Sequence, residues 1–263
     1  MKKIAFLFLI YDTLNLEEVW EEFFKNVDKN KYTIYIHFKN NVSLKYFEQY
    51  KLKNCIETKY ADISLVCAQN ILLEEALKDK KNEHFIFLSN SCVPFKSFEF
   101  IYNKLSTDKS YFNIAPQEQC FPRCDYLLNK IEKKNIQKSS QWCILNRKHS
   151  EIMTSCPSFE YIKLYKNIYA PDEICYITII FINNLQEEII TTPNLANNAT
   201  TFTNWEGMDY AFPSNRGLKN YRFISEEELR HLINSDCLFG RKFYRDCLGY
   251  LCKDFYLQLL KNE

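Results

Sequence analysis

The chain is expected to be an α/β protein with a mostly parallel sheet flanked by helices. Three features carry that expectation: an apolar run of strand length at the start, amphipathic segments of helical period, and recurrence of the strand-then-helix order. Residues 3–11, KIAFLFLIY, are apolar throughout and read as a buried first strand. In NLEEVWEEFFKNV (15–27), Leu16, Val19, Trp20, Phe23, Phe24 and Val27 recur at helical spacing. YTIYIHF (32–38) gives a second strand, Lys45 to Tyr50 a short segment, and DISLVCAQNILLEEALKD (62–79) a second helix. A third strand, HFIFLSN (84–90), follows the polar turn DKKNE. Ligands of such sheets bind beyond the carboxyl ends of the strands, which here carry His37 to Asn40 and Ser89 to Cys92.

The second half is less regular. A loop is expected over 115–141, a strand over QWCILNR (141–147) and a helix from about Ser150. After Pro171, ICYITIIFI fits helix or strand, and Glu173 to Ile180 is long enough for two helical turns. Pro, Asn, Gly and Thr mark 191–220 as turns and loops. Ser225 followed by Glu228 is a capping box for a late helix, and LFGRKF (238–243) reads as a turn with two adjacent cations. Neither an internal repeat nor a low-complexity linker is evident.

At 263 residues the chain suits one domain, 1–263. Its 21 Phe and 18 Tyr against 4 Gly predict a bulky core. With 34 Lys and Arg against 33 Asp and Glu, no global field attracts nucleic acid or anionic membrane, so any anion must be held locally. The start lacks a small-residue cleavage site and no run reaches the ~18 apolar residues of a membrane span, so a soluble, cytoplasmic protein is expected. Eleven scattered cysteines, an odd number, read as reduced thiols. Neither Cys120 with Cys124 nor Cys247 with Cys252 has zinc-knuckle spacing, so no metal site is expected there. Richness in Lys, Asn and Ile fits an AT-rich genome such as a virus or protist carries.

The chain has no G-x-G-x-x-G, P-loop, G-x-S-x-G or H-E-x-x-H, and no Asp-x-Asp with which to hold a divalent ion on a diphosphate. A metal-free diphosphate site would need Lys and Arg instead. One acidic pair remains to be explained: Asp172 and Glu173, behind Pro171, suit a helix cap and first turn as well as they suit chemistry.

Several segments, in order, resemble the core-2/I-branching glycosyltransferases, especially the plant-type members. YTIYIHFKN looks like their Tyr-x-Ile-Tyr-x-His strand, and the run from ISLVCAQN to SCVPF like their helix, strand and Ser-Cys-x-Pro-Leu turn. KSSQW is similar to Lys-Gly-Ser-Gln-Trp, PDEICYIT to Pro-Asp-Glu-His-Tyr, and CLFGRKF to Cys-Leu-Phe-Ala-Arg-Lys-Phe. The resemblance implies a GT-A type fold and an inverting, metal-independent transfer from a UDP-sugar to a glycan or glycoprotein hydroxyl, with no cofactor beyond the co-substrate and N-acetylglucosamine as the first candidate sugar.

It also implies a nucleotide-sugar-binding half (about 1–115), an acceptor and catalytic half (about 116–263), and roles for residues in each. Glu173 maps onto the catalytic base, for which one carboxylate within reach of the attacking hydroxyl suffices. Lys242, with Arg241 beside it, maps onto one diphosphate cation; the other falls near Lys219, where an arginine is expected, leaving Arg216 and Arg222 as alternatives. His37, Phe38 and Lys39 fall where the family binds uridine, and Ser89 and Asn90 near the ribose or sugar. Trp142 and Trp205 suit stacking on acceptor sugars, with Asp172 beside them to orient or cap. Departures at Lys219, at Ile174 in place of histidine and at Ser139 in place of glycine motivate an alternative, a binding module without turnover. Xylosyl or glucuronosyl transfer on the same scaffold is another.

Overall fold

The computed structural model describes residues 2–105, 108–155, 160, 162–192, 200–204, 220–248, 254 and 256–258. Strand β1 (Lys3–Ile10) is central, parallel to β2 (Tyr32–Phe38) on one side and β3 (Asn82–Ser89) on the other. Its side chains alternate between two layers, which is why the run is apolar without a break. Ala5, Leu7 and Leu9 face helix α2 (Ser64–Leu77) through Val66, Leu72 and Leu73. Ile4, Phe6, Phe8 and Ile10 meet α1 (Glu17–Phe24) and its aromatic cluster of Trp20, Phe23 and Phe24. Phe6 packs edge-on against Phe24 at 5.0 Å and Phe8 against Trp20 at 5.0 Å, geometry that the ring quadrupole favours.

The sheet continues through β5 (Ser110–Ala115), β6 (Lys138–Ser139) and β7 (Ile144–Asn146) in the order β2-β1-β3-β7-β5-β6, with β8 (Ile189–Thr192) parallel to the other edge of β5. Only β6 and β7 run against the rest, so the α/β class with a mostly parallel sheet is as expected. Between β4 (Val93–Pro94) and β5 lies α3 (Phe98–Lys104), capped by the Ser97 hydroxyl accepting from Phe100 N–H. Sequence pattern assigned neither α3 nor β5, and both are short.

Other boundaries shift for local reasons. The strand expected over 141–147 is confined to β7, because residues 140–143 leave the ladder between β6 and β7. Helix α4 (Arg147–Met153) starts before Ser150, since the Asn146 side chain accepts from His149 N–H and caps it there. The loop expected over 115–141 contains three 3-10 turns and β6. After Pro171 the chain is helical: α5 (Cys175–Ile182) is apolar all round and buried over Cys175–Ile180, so no amphipathic period distinguished it from a strand. Helix α6 (Glu226–Ile233) has the expected cap, Ser225 accepting from Glu228 N–H.

LFGRKF is not a turn. Its residues Phe239–Arg241 form β10, the middle strand of a small sheet between β4 and β9 (Thr201–Thr203). Behind that sheet lies a third core cluster that includes Phe95, Tyr221, Leu229 and Phe243. No helix among the described residues is long and apolar enough to cross a membrane. All nine described cysteines are free; Cys120 and Cys124 are buried, and burial pushes both thiols up to about 11.

Candidate active site

Pro171–Glu173 form a single 3-10 turn entered from Ala170, whose φ of 52° is left-handed, and the turn leads into buried α5. The anchored helix therefore fixes where the two carboxylates stand. Glu173 Oε2 lies 3.2 Å from Arg123 Nη2 and 3.4 Å from Lys138 Nζ, and the side chain remains 28% exposed. Arg123 also donates through Nη1 to the Tyr169 carbonyl at 3.1 Å. The base candidate is thus clamped between two cations yet open on one side.

Asp172 behaves differently. No side chain caps either the 3-10 turn or α5, so capping is not what Asp172 does. Its Oδ1 is buried without a hydrogen-bond partner. Burial and then the neighbouring Glu173 charge push its carboxyl up to about 7, against the opposing pull of Arg123 and Arg241.

Arg241, the last residue of β10, faces the same place. The Arg241 guanidinium lies over the Trp142 ring, 4.6 Å from its centroid, and its Nε has no hydrogen-bond partner. Burial lowers its pKa, opposed by Cys92, Asp172, Glu173 and Tyr60. Burial and then Arg241 bring Lys242 down to about 8. Cys92, just beyond β3, is within electrostatic reach of both cations, though burial dominates and raises its thiol. Arg241 therefore joins the strand-end region at Ser89 to Cys92 with the carboxylates at 172 and 173. Trp142 is only 6% exposed, at the break between β6 and β7, with its carbonyl accepting from Thr200 Oγ1 at 2.9 Å.

The register sets His37 and Ser89 on either side of Leu9 at the carboxyl edge of the sheet. His37 is fully buried, and its Nε2 accepts from Ile56 N–H at 3.0 Å, which leaves the proton on Nδ1. Burial pulls its pKa down to about 4, so the ring is neutral at physiological pH. The Phe38 ring packs under Lys51 Nζ at 4.8 Å, and Lys39 Nζ lies over Tyr11 at 5.2 Å. Ser89 Oγ contacts Ser91 Oγ at 3.1 Å and Cys92 Sγ at 3.2 Å, while Asn90 O accepts from Asn15 N–H.

Glu173, Asp172, Arg241 and Trp142 are thus gathered in one region, with Lys242 next to Arg241 and within electrostatic reach of it. Arg222 is exposed and stacks 4.5 Å from the Tyr244 ring, and Arg216, Lys219 and Trp205 lie outside the described residues. Sequence reasoning missed Arg123 and Lys138. Lys138 opens the KSSQW motif and was open to suspicion on that ground; Arg123 sits in an irregular loop with no pattern to flag it.

The carboxylate pair and Arg241 thus meet at the strand-end edge of an α/β sheet, the edge at which such sheets hold their ligands. The family model described as Core-2/I-Branching enzyme matches residues 4–233, and the chain belongs to that family. A curated relative, glycosyltransferase BC10 of Oryza sativa subsp. japonica, is 31% identical over 162 residues, covering 57% of this chain and 40% of its own length. The match thus spans well under half of that relative. Among solved structures, the galactosyltransferase LgtC in complex with donor and acceptor sugar analogues aligns with 98% of this chain and 95% of its own, at 10% identity and a TM-score of 0.46. The bifunctional glycosyltransferase WbbM aligns with 92% of this chain and 46% of its own, at 10% identity and a TM-score of 0.46.

Proposed function

We propose that this protein is a GT-A type, inverting, metal-independent glycosyltransferase that moves a sugar from a UDP-sugar to a hydroxyl of a glycan or glycoprotein. The carrying observation is that Arg241, next to Lys242 in the chain, stands within electrostatic reach of Glu173 and Asp172 from a distant part of the sequence, supported by the family. Glu173 takes the acceptor hydroxyl proton as that oxygen attacks the anomeric carbon. The bond from that carbon to the diphosphate oxygen breaks on the opposite face, and UDP leaves with the electron pair. Arg241 and Lys242, with a cation among Arg216, Lys219 and Arg222, offset the charge that builds on the leaving diphosphate.

Arg123 and Lys138 hold the Glu173 carboxylate in one orientation, so it waits in place for the hydroxyl. Uridine is assigned to the strand ends at His37 to Lys39, and the ribose or sugar to Ser89 and Asn90. The free thiols support a reducing, cytoplasmic setting.

The test is UDP release across UDP-N-acetylglucosamine, UDP-xylose, UDP-glucuronic acid and UDP-galactose, with EDTA present, by wild type and Glu173→Gln. Release by wild type with one donor, reduced about 10²- to 10⁴-fold in the variant, is expected. Loss of wild-type turnover on adding EDTA overturns the metal-free mechanism. Equal release by both proteins removes Glu173 as base. Tight UDP binding without release from any donor, with glycan acceptors supplied, favours the binding module.

A further inference from the structure

Two exposed tyrosines stand beside the carboxylates, and the transfer step above uses neither. Tyr60 is 87% exposed and Tyr169 is 59% exposed. Their ring centroids are 6.3 Å apart at an interplanar angle of 70°, and their hydroxyls lie 3.5 Å apart. Tyr60 is near enough for the charges of Glu173 and Asp172 to act on its hydroxyl, and Arg241 feels Tyr60 in turn. The pair therefore forms an open aromatic corner on the rim of the site.

The backbone behind that corner is built at a cost. Ala61 and Ala170 directly follow the two tyrosines, with left-handed φ angles of 53° and 52°. Ala170 N–H donates to the Ala61 carbonyl at 3.0 Å, so the two strained residues hold each other. A residue with a Cβ is seldom found there, and such strain persists only where surrounding structure imposes it, often at a functional site. Arg123 adds a second tie, one guanidinium nitrogen on the Tyr169 carbonyl and another on Glu173 Oε2. The position of the tyrosine corner is thereby linked to the position of the carboxylate.

The chemistry of the corner selects its occupant. An aromatic face carries the negative part of the ring quadrupole. A pyranose turns a face of weakly positive C–H groups outward and keeps its hydroxyls at the rim, so it stacks on such a ring while its hydroxyls reach neighbouring polar groups. We propose that Tyr60 and Tyr169 form an acceptor subsite that stacks a pyranose ring of the glycan and aims one of its hydroxyls at Glu173. This inference rests on the glycosyl-transfer reading.

Saturation-transfer NMR in the presence of UDP, which needs no turnover, tests it with methyl glycosides of galactose, N-acetylgalactosamine, glucose and xylose. The proteins compared are wild type, Tyr60→Ala with Tyr169→Ala, and Tyr60→Phe with Tyr169→Phe. Wild type and the phenylalanine pair are expected to bind at least one glycoside by its C–H face. The alanine pair is expected to bind that glycoside at least about tenfold more weakly, with UDP affinity intact. Should the pair of truncations disturb folding, Tyr60→Ala alone serves, since that side chain is almost wholly in solvent. Glycoside binding unchanged in the alanine variants, no glycoside bound by wild type, or a parallel loss of UDP affinity would each overturn the subsite. Glycoside binding lost as expected, with no UDP released from any donor even with that glycoside present, would sink the transfer reading and leave the subsite standing.

Discussion

The ring of Phe95 occupies the space that a side chain on Gly240 would need: a methyl group there would overlap its Cζ, Cε1 and Cε2 atoms. Phe95 is fully buried and packs edge-on against Phe243 at 6.0 Å. The two positions are also where this sequence departs from the pattern it resembles, with phenylalanine for leucine in SCVPF and glycine for alanine in CLFGRKF. Read in three dimensions, the two departures are one exchange of volume. Because Gly240 precedes Arg241 and Lys242 on and beyond β10, this packing also sets where the two cations stand.

Gly240→Ala is accordingly expected to destabilise the protein by about 1–3 kcal/mol, the usual cost of overpacking a filled core. Adding Phe95→Leu should recover most of that loss, since it vacates the same space. Thermal unfolding of the two single variants and the double variant checks the coupling; additive losses would mean that the ring and the glycine are independent.

Lys242 predicts a pH limb in donor binding. Its pKa of about 8 means that the charge which the proposed mechanism sets against the diphosphate is lost as pH rises through that value. The KM for the UDP-sugar should rise above about pH 8, and Lys242→Arg should flatten the rise, because a guanidinium stays charged. A wild-type donor KM constant from pH 7 to 9 contradicts this.

Asp172 makes the opposite kind of prediction, about stability. An unfolded aspartate titrates near ~3.9, whereas the folded one titrates at about 7. Between those values the folded state keeps a proton that the unfolded state has lost, so this group's contribution to stability falls as pH rises through the window. Asp172→Asn should therefore unfold at a higher temperature than wild type at pH 8, by about 2–4 °C for each kcal/mol relieved. At pH 4 the two should match, and calorimetry at the two pH values decides.

Arg123 touches Glu173, so its effect on turnover is expected to pass through that carboxylate. Its two nitrogens hold the Tyr169 carbonyl and the Glu173 carboxylate together, a fork that lysine cannot reproduce. Arg123→Lys is expected to lower kcat about tenfold or more, as a small misplacement of a catalytic group does. Donor KM should stay close to wild type. A raised donor KM with intact kcat would assign Arg123 to the donor instead.

Elements that carry their own periodic signal were legible in the sequence. The unbroken apolar run of β1 and the amphipathic spacing of α1 are local consequences of where each face is buried, and the Ser225 cap is written in adjacent residues. Glu173 is singled out as the candidate base through its motif, although the residues alone do not separate a base from the first turn of a helix capped by Asp172. Helix α5 was ambiguous because burial on every side erases periodicity, and β10 looked like a turn because glycine and two cations mark loops when no partner is in view.

The sequence by itself thus determined the strand-and-helix order of the first half, the family and the acidic pair. The tertiary structure alone decided which cations clamp Glu173, that Asp172 is a half-buried acid with one oxygen shut away from solvent and not a cap, and that Tyr60 and Tyr169 share one corner. The physical reason is separation along the chain: Arg123 and Lys138 reach Glu173, and Ala61 meets Ala170, through contacts whose partners lie far apart in sequence. No local period or spacing encodes such a contact. It is fixed when the sheet register and the packing of α5 bring those segments together.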